Sequence, residues 1–135
     1  MTPIEHRSKD TIGVLDTTVC NIRSLTESIA GTGHSFVLID DPSQFAEIGS
    51  LIIPGVGSMA AAMAALDRRA VIDRIRGFAA EGNPVLGICL GMQMLFERSA
   101  EGGGTSGLGV LAGDVRALDS RGPSRSMHIG WNDVR

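Results

Sequence analysis

The pentapeptide Gly87-Ile88-Cys89-Leu90-Gly91 sets a thiol between two glycines, at the point in PVLGICLGMQMLFE (residues 84–97) where an apolar strand pattern passes into helical spacing. A nucleophile lifted on a strand-to-helix turn must hold strained backbone angles while strand and helix cross closely, so small residues are needed two positions before it and two after. The pentapeptide meets that requirement. A helix starting there directs its free N–H groups toward the sulfur and offers the Leu90 amide to an oxyanion. Such an arrangement suits acyl transfer, in which a thiol attacks a carbonyl carbon and carries the acyl group until water removes it. The plainer reading is a structural thiol in a tightly packed corner, since free cysteines are among the most buried residues. The glycine pair at a strand end favours the first reading. Cys20, between Val19 and Asn21, has no flanking glycines and reads as a packing or capping-region thiol.

Two further stretches bear on the same chemistry. IIPGVGS (residues 52–58) reads as a strand running into Gly55-Val56-Gly57, whose uncrowded amides, that of Val56 in particular, suit a second oxyanion donor. An ordinary strand-to-helix turn accounts for it equally well. No Lys-Ser/Thr pair follows these glycines, so the loop is not a phosphate-binding P-loop. Gln93 stands one helical turn after Cys89, on the face of the thiol's neighbours, where a solvent-facing glutamine is the ordinary alternative. No Cys/His grouping has metal-ligand spacing, and no metal is assigned.

These groups need a scaffold that brings two strand ends to one edge. TIGVLD (11–16), HSFVLID (34–40), SLIIPGVG (50–57) and VLGI (85–88) read as strands. Between them, residues 22–33 carry helical spacing through Ile22, Leu25 and Ile29 before a glycine stop, and PSQFAEI suits one short helix. Residues 59–82 read as a single helix with Met63, Leu66, Val71, Ile72, Ile75, Phe78 and Ala79 on its packed side, and LGMQMLFERS as another. Continuous apolar strands alternating with helices predict an α/β fold, a flavodoxin-like, mostly parallel sheet with helices on both faces. Sites in such sheets lie at the carboxyl ends of the strands. After the glycine loop EGGGTSG (101–107), LGVLAGDVRAL and SMHIGWNDV predict extra β-structure without intervening helices.

At 135 residues, 43% of them hydrophobic, the chain has the content of one globular domain. A polar tail over residues 1–10 and a domain over 11–135 are expected. The net charge of -3, with arginines that alternate with acids, gives no reason to expect nucleic acid. Residues 1–10 lack the apolar segment of a signal peptide, and no run is long enough to cross a bilayer. The expectation is a cytosolic protein, not associated with membrane, with both cysteines reduced.

The Gly-x-Cys-x-Gly elbow followed by Gln93 resembles the class I, triad-type glutamine amidotransferases. Within that family, Met92 in GICLGMQ, DTTVCNIRS (16–24), IPGVG (53–57) and HIGWN (128–132) are similar to stretches of the glutaminase subunits of imidazole glycerol phosphate synthases. The resemblance covers nearly all of residues 11–135. It implies that Cys89 attacks the carboxamide of glutamine, releases ammonia and leaves a thioester that water hydrolyses. It implies an oxyanion hole from Leu90 and Val56, substrate contacts from Gly55, Gly57, Gln93 and Glu101, and no cofactor. It also implies a heterodimer with a (β/α)8-barrel cyclase subunit, which receives the ammonia and forms imidazole glycerol phosphate in histidine biosynthesis.

Two departures from the family pattern matter. Thr17, Thr18 and Cys20 replace a Tyr-Gly-x-Gly pattern in the opening motif, which leaves open a related subunit serving another acceptor, such as an amino sugar. The family's catalytic His and Glu belong to a His-Pro-Glu motif that residues 1–135 do not contain. One oriented imidazole usually serves as base and acid in such a reaction. The available ones are His6 in the tail, His34 at the amino end of a strand, and His128 in a motif that is not catalytic in the family. The expectation is therefore a glutaminase fold, lacking its C-terminal part, with little glutamine hydrolysis by these residues alone. Part of one sheet face should also be left uncovered, with low stability, self-association or dependence on a partner as its consequence. A non-catalytic scaffold with an inert Cys89 is the alternative from outside enzymology.

Overall fold

The computed structural model describes residues 10–17, 21–118, 131 and 133. Four strands form the central sheet: β1 (Thr11–Leu15), β2 (Ser35–Ile39), β3 (Ser50–Ile53) and β4 (Val85–Gly87). They are all parallel and lie in the order β2-β1-β3-β4. Helix α1 (Ile22–Gly31) carries the chain from β1 outward to β2, whereas α2 (Met59–Arg68) and α3 (Ile72–Ala80) carry it from β3 the other way to β4. Right-handed crossovers running in opposite directions place their helices on opposite faces, so the sheet is doubly wound as the sequence predicts.

Pairing register sorts the side chains. Gly13 aligns with Val37 and Leu51, Leu15 with Ile39, and Ile53 with Gly87, so these residues share one face. That face holds the core: Leu15, Ile39, Leu51 and Ile53 are buried against Met59, Ala62, Met63 and Leu66 of α2 and Ile75 and Phe78 of α3. A 3-10 helix, Pro42–Glu47, adds Phe45, whose ring meets that of Phe78 edge-on with centroids 5.9 Å apart. A capping box closes its start: Asp41 accepts from the Ser43 amide, and Gln44 accepts from the amides of Asp40 and Asp41 while donating to the Leu38 carbonyl. On the other face, Phe36 and Leu38 of β2 and Leu86 of β4 are 36%, 41% and 56% exposed.

Two elements differ from expectation. The single helix expected over 59–82 is two, because the chain leaves α2 through a Schellman turn. Ala70 takes φ 55°, its N–H donates to the Asp67 carbonyl, and the Val71 N–H reaches back to that of Leu66. Val71 and Leu66, the positions at which this motif carries apolar residues, are both fully buried in the core. Alanine is an unusual occupant of the left-handed position. Ala70→Gly is therefore expected to raise the unfolding free energy by about 0.5–1 kcal/mol in a urea titration; an unchanged midpoint would show that the turn carries no strain.

The helix expected over 90–99 stops after one turn. α4 spans Leu90–Met94, and β5 (Phe96–Ser99) follows, in a second sheet with β6 (Thr105–Ser106) antiparallel and β7 (Leu111–Val115) parallel to it. Tertiary pairing overrides local helical spacing here: Leu108 N–H bonds to the Met94 carbonyl, Leu111 N–H to that of Leu95, and Gly107 N–H to that of Glu97. The crossing is so close that a Cβ on Gly107 would fall 2.1 Å from the Phe96 carbonyl oxygen. The extra β-structure expected after residue 107 is present as β7. The stretch SMHIGWNDV lies outside the described residues apart from Trp131 and Asp133, as do residues 1–9 of the expected tail.

Candidate active site

β3 and β4 run side by side and end at the same edge, the carboxyl edge of the sheet. One residue beyond β4, the Ile88 N–H donates to the Ile53 carbonyl at 2.9 Å, pinning the chain to β3 immediately before it turns. Cys89 then adopts φ 55° and ψ -115°, a conformation that a side chain enters only under strain, and α4 begins. The turn is possible because its neighbours lack side chains. A Cβ at Gly87 would lie 2.5 Å from Met92 Cα, and one at Gly91 would lie 1.7 Å from the carbonyl oxygen of Ile53. The two glycines singled out by spacing are thus the two places where helix and strand touch.

The Cys89 thiol is exposed. It opens into a cleft of about 390 Å³ lined by Gly57, Leu90, Gln93, Ser99, Ala100, Glu101, Val115, Arg116 and Ala117. Cys89, Leu90, Gln93, Gly57 and Glu101 were all candidates from the sequence, and one cleft collects them. Gly55 is buried behind it, packed against Leu90 and Gly91, and the Val56 side chain is half exposed. Two larger grooves, about 580 and 570 Å³, flank Arg76, whose guanidinium is tied to the carbonyls of Leu108 and Gly107. The described residues that line them include no thiol, so size does not identify the site here.

Glu101 starts a 3-10 turn, Glu101–Gly103, and its N–H donates to the Oγ of Ser99, which is 2% exposed. Buried Ser99 thus fixes where Glu101 leaves the strand. Among the described residues, the side chains of Cys89, Gln93 and Glu101 make no hydrogen bond or ion pair, although no buried side-chain polar atom is left unsatisfied. Three free polar side chains in one cleft are what a ligand site requires.

Ser99, Val115, Arg116 and Ala117 are cleft residues that the sequence reading missed, because they come from β5, β7 and the segment after it. Arg116 belongs to a charged cluster. Arg98 grips Asp114 with two bonds of 2.9 and 3.1 Å, and Arg116 Nη2 donates to the same carboxylate at 3.0 Å. Bonds from Arg98, then Arg116, hold the Asp114 carboxyl down to about 2. The cluster therefore stays ionised throughout the neutral range.

One expectation is not met in this conformation. The Leu90 N–H, expected to be open to an oxyanion, donates to the Gly55 carbonyl at 3.2 Å. As for imidazoles, His34 is exposed, bonded through Nδ1 to Thr32 Oγ1, and stands before the amino end of β2, at the edge of the sheet away from Cys89. His6, His128 and Cys20 lie outside the described residues.

A strained thiol elbow at the carboxyl edge of a parallel sheet, opening on free carboxamide and carboxylate groups, has the geometry of a thiol-dependent acyl-transfer site. Comparison with known proteins gives the family. The family model of the CobB/CobQ-like glutamine amidotransferase domain matches residues 10–128. The chain belongs to that family. It is 42% identical over 123 residues to the imidazole glycerol phosphate synthase subunit HisH of Rhodopirellula baltica, covering 91% of this chain and 60% of that protein. It is 44% identical over 119 residues to the protein of the same name from Lactiplantibacillus plantarum, covering 88% and 57%. The chain thus spans about three-fifths of the length of the curated relatives it matches. A crystal structure of a glutamine amidotransferase superposes with a TM-score of 0.68 at 22% identity, covering 78% of this chain and 56% of that one, which establishes the shared fold. Among the described residues no helix is long and apolar enough to cross a membrane.

Proposed function

We propose that this chain carries the nucleophile of a glutaminase subunit of imidazole glycerol phosphate synthase, acting in histidine biosynthesis. The observation that carries the reading is the unpartnered Cys89 thiol on its strained elbow, sharing a cleft with the free side chains of Gln93 and Glu101. Cys89 Sγ attacks the carboxamide carbon of glutamine. The tetrahedral oxyanion collapses with cleavage of the C–N bond, ammonia leaves after protonation, and a γ-glutamyl thioester remains. Water then attacks the thioester, giving glutamate and restoring the thiol. A (β/α)8-barrel cyclase subunit, in a cytoplasmic heterodimer, takes the ammonia.

The Gly55–Val56 peptide controls the oxyanion. Its carbonyl now occupies the Leu90 N–H, and the carbonyl and N–H of one trans peptide point opposite ways. Turning that unit over would release the Leu90 amide and bring in the Val56 N–H, so a single rotation exchanges a blocking acceptor for a second donor. Gly55 and Gly57, the latter at φ 89°, give the backbone that freedom. Among the described residues no imidazole reaches the cleft.

The test is covalent modification by the chloroketone analogue of glutamine, followed by peptide mapping. Stoichiometric, saturable labelling of Cys89, slowed by glutamine and absent at Cys20, is the expected result. Equal labelling of the two cysteines without protection by glutamine would leave only the scaffold reading.

A further inference from the structure

We infer that Arg116 anchors the α-carboxylate of the substrate and restricts the cleft to free amino acids; the inference rests on the glutaminase reading above. A glutamine whose carboxamide lies at the Cys89 sulfur presents two opposite charges at its far end, an α-ammonium and an α-carboxylate. Among the described residues that line the cleft, one is acidic and one is basic, from different elements: Glu101 in the turn after β5, and Arg116 just beyond β7. The Glu101 carboxylate has no partner among the described residues. Among the described residues Arg116 bonds through Nη2 alone, to Asp114, which leaves its Nε and Nη1 donors for a ligand.

The tether gives Arg116 a fixed base. Arg98 holds Asp114 with both ends of its fork, and Asp114 then steadies Arg116 from behind. As an exposed ion pair this contributes little to folding, but a planar guanidinium held at one nitrogen is oriented for a carboxylate at the others. Arg98 is also near Glu97, a second acid, whereas among the described residues Arg116 bonds to the shared oxygen of Asp114 alone. A simple anion in the cleft would be repelled by Glu101; a zwitterion satisfies both side chains. Glutamine inside a peptide, with neither charge, gains from neither.

Inactivation kinetics with the chloroketone analogue of glutamine and its α-methyl ester test this. The intact protein should bind the free acid about tenfold or more tightly than the ester, the difference a charge-assisted bond makes. Arg116→Gln should bring that ratio close to one by weakening the free acid alone, with the thermal midpoint unchanged, and Arg116→Lys should restore part of it. If Arg116→Gln keeps the full preference, Arg116 is a surface ion-pair residue and the inference fails while the glutaminase reading stands. If neither compound inactivates saturably, or label spreads to Cys20, the glutaminase reading falls and takes this inference with it.

Discussion

Gly91→Ala is expected to lower the unfolding free energy by about 3 kcal/mol or more, seen as a large fall in the urea midpoint. The added Cβ would sit 1.7 Å from the carbonyl oxygen of Ile53 and 2.7 Å from its carbonyl carbon. Both are backbone atoms of β3, so no side-chain rotation relieves the overlap. Relief requires α4 to move off the sheet, and that motion pulls on the Ile88–Ile53 and Leu90–Gly55 bonds that hold the elbow. Against a total stability of roughly 5–15 kcal/mol for an ordinary domain, such a loss leaves much of the protein unfolded or with α4 detached. Gly77→Ala is the control. Gly77 is within α3 with nothing inside 4 Å of a built Cβ, so alanine there should add up to about 1 kcal/mol through helix propensity. If Gly91→Ala melts like its parent, strand and helix do not cross as closely as described.

The elbow was legible in the sequence because its chemistry has a steric signature. Gly87 and Gly91 are glycine for the same reason that Cys89 can be lifted, so spacing alone pointed to all three. The central sheet was legible because buried parallel strands read as unbroken apolar runs, and its turns carry glycine or proline. What failed depended on distant partners. Residues 90–99 have helical spacing, and only the fit of Gly107 against the Phe96 carbonyl and the pairing of β5 with β7 turn the second half into a strand. The break after α2 was hidden because its left-handed position holds Ala70 where a glycine would have announced it. With β5 misread, Ser99 and Arg116 had no reason to be placed beside Cys89. The occupied state of the Leu90 amide has no signature in residue types at all, since it depends on the orientation of one peptide plane.

Cys89→Gly should abolish covalent modification completely and yet make the protein more stable, by about 1 kcal/mol. Holding a side chain at φ 55°, ψ -115° costs on the order of 1–3 kcal/mol, and glycine escapes that cost but gives back about 0.5–1 kcal/mol in unfolded-chain entropy. Cys89→Ser separates the two contributions. It retains a Cβ and therefore the strain, so it should melt near the parent while losing the modification just as fully. Chemical denaturation of the three proteins together, with mass spectrometry after treatment with the chloroketone, reads both quantities. Should the glycine variant prove no more stable than the serine variant, the elbow stores no strain and the corner needs no functional explanation. The expected ordering carries a different implication. Glycine would be the better residue for folding at position 89, and what a cysteine adds there is a sulfur held out from the sheet edge, into a cleft whose other polar groups, Gln93 and Glu101, have no side-chain partner among the described residues.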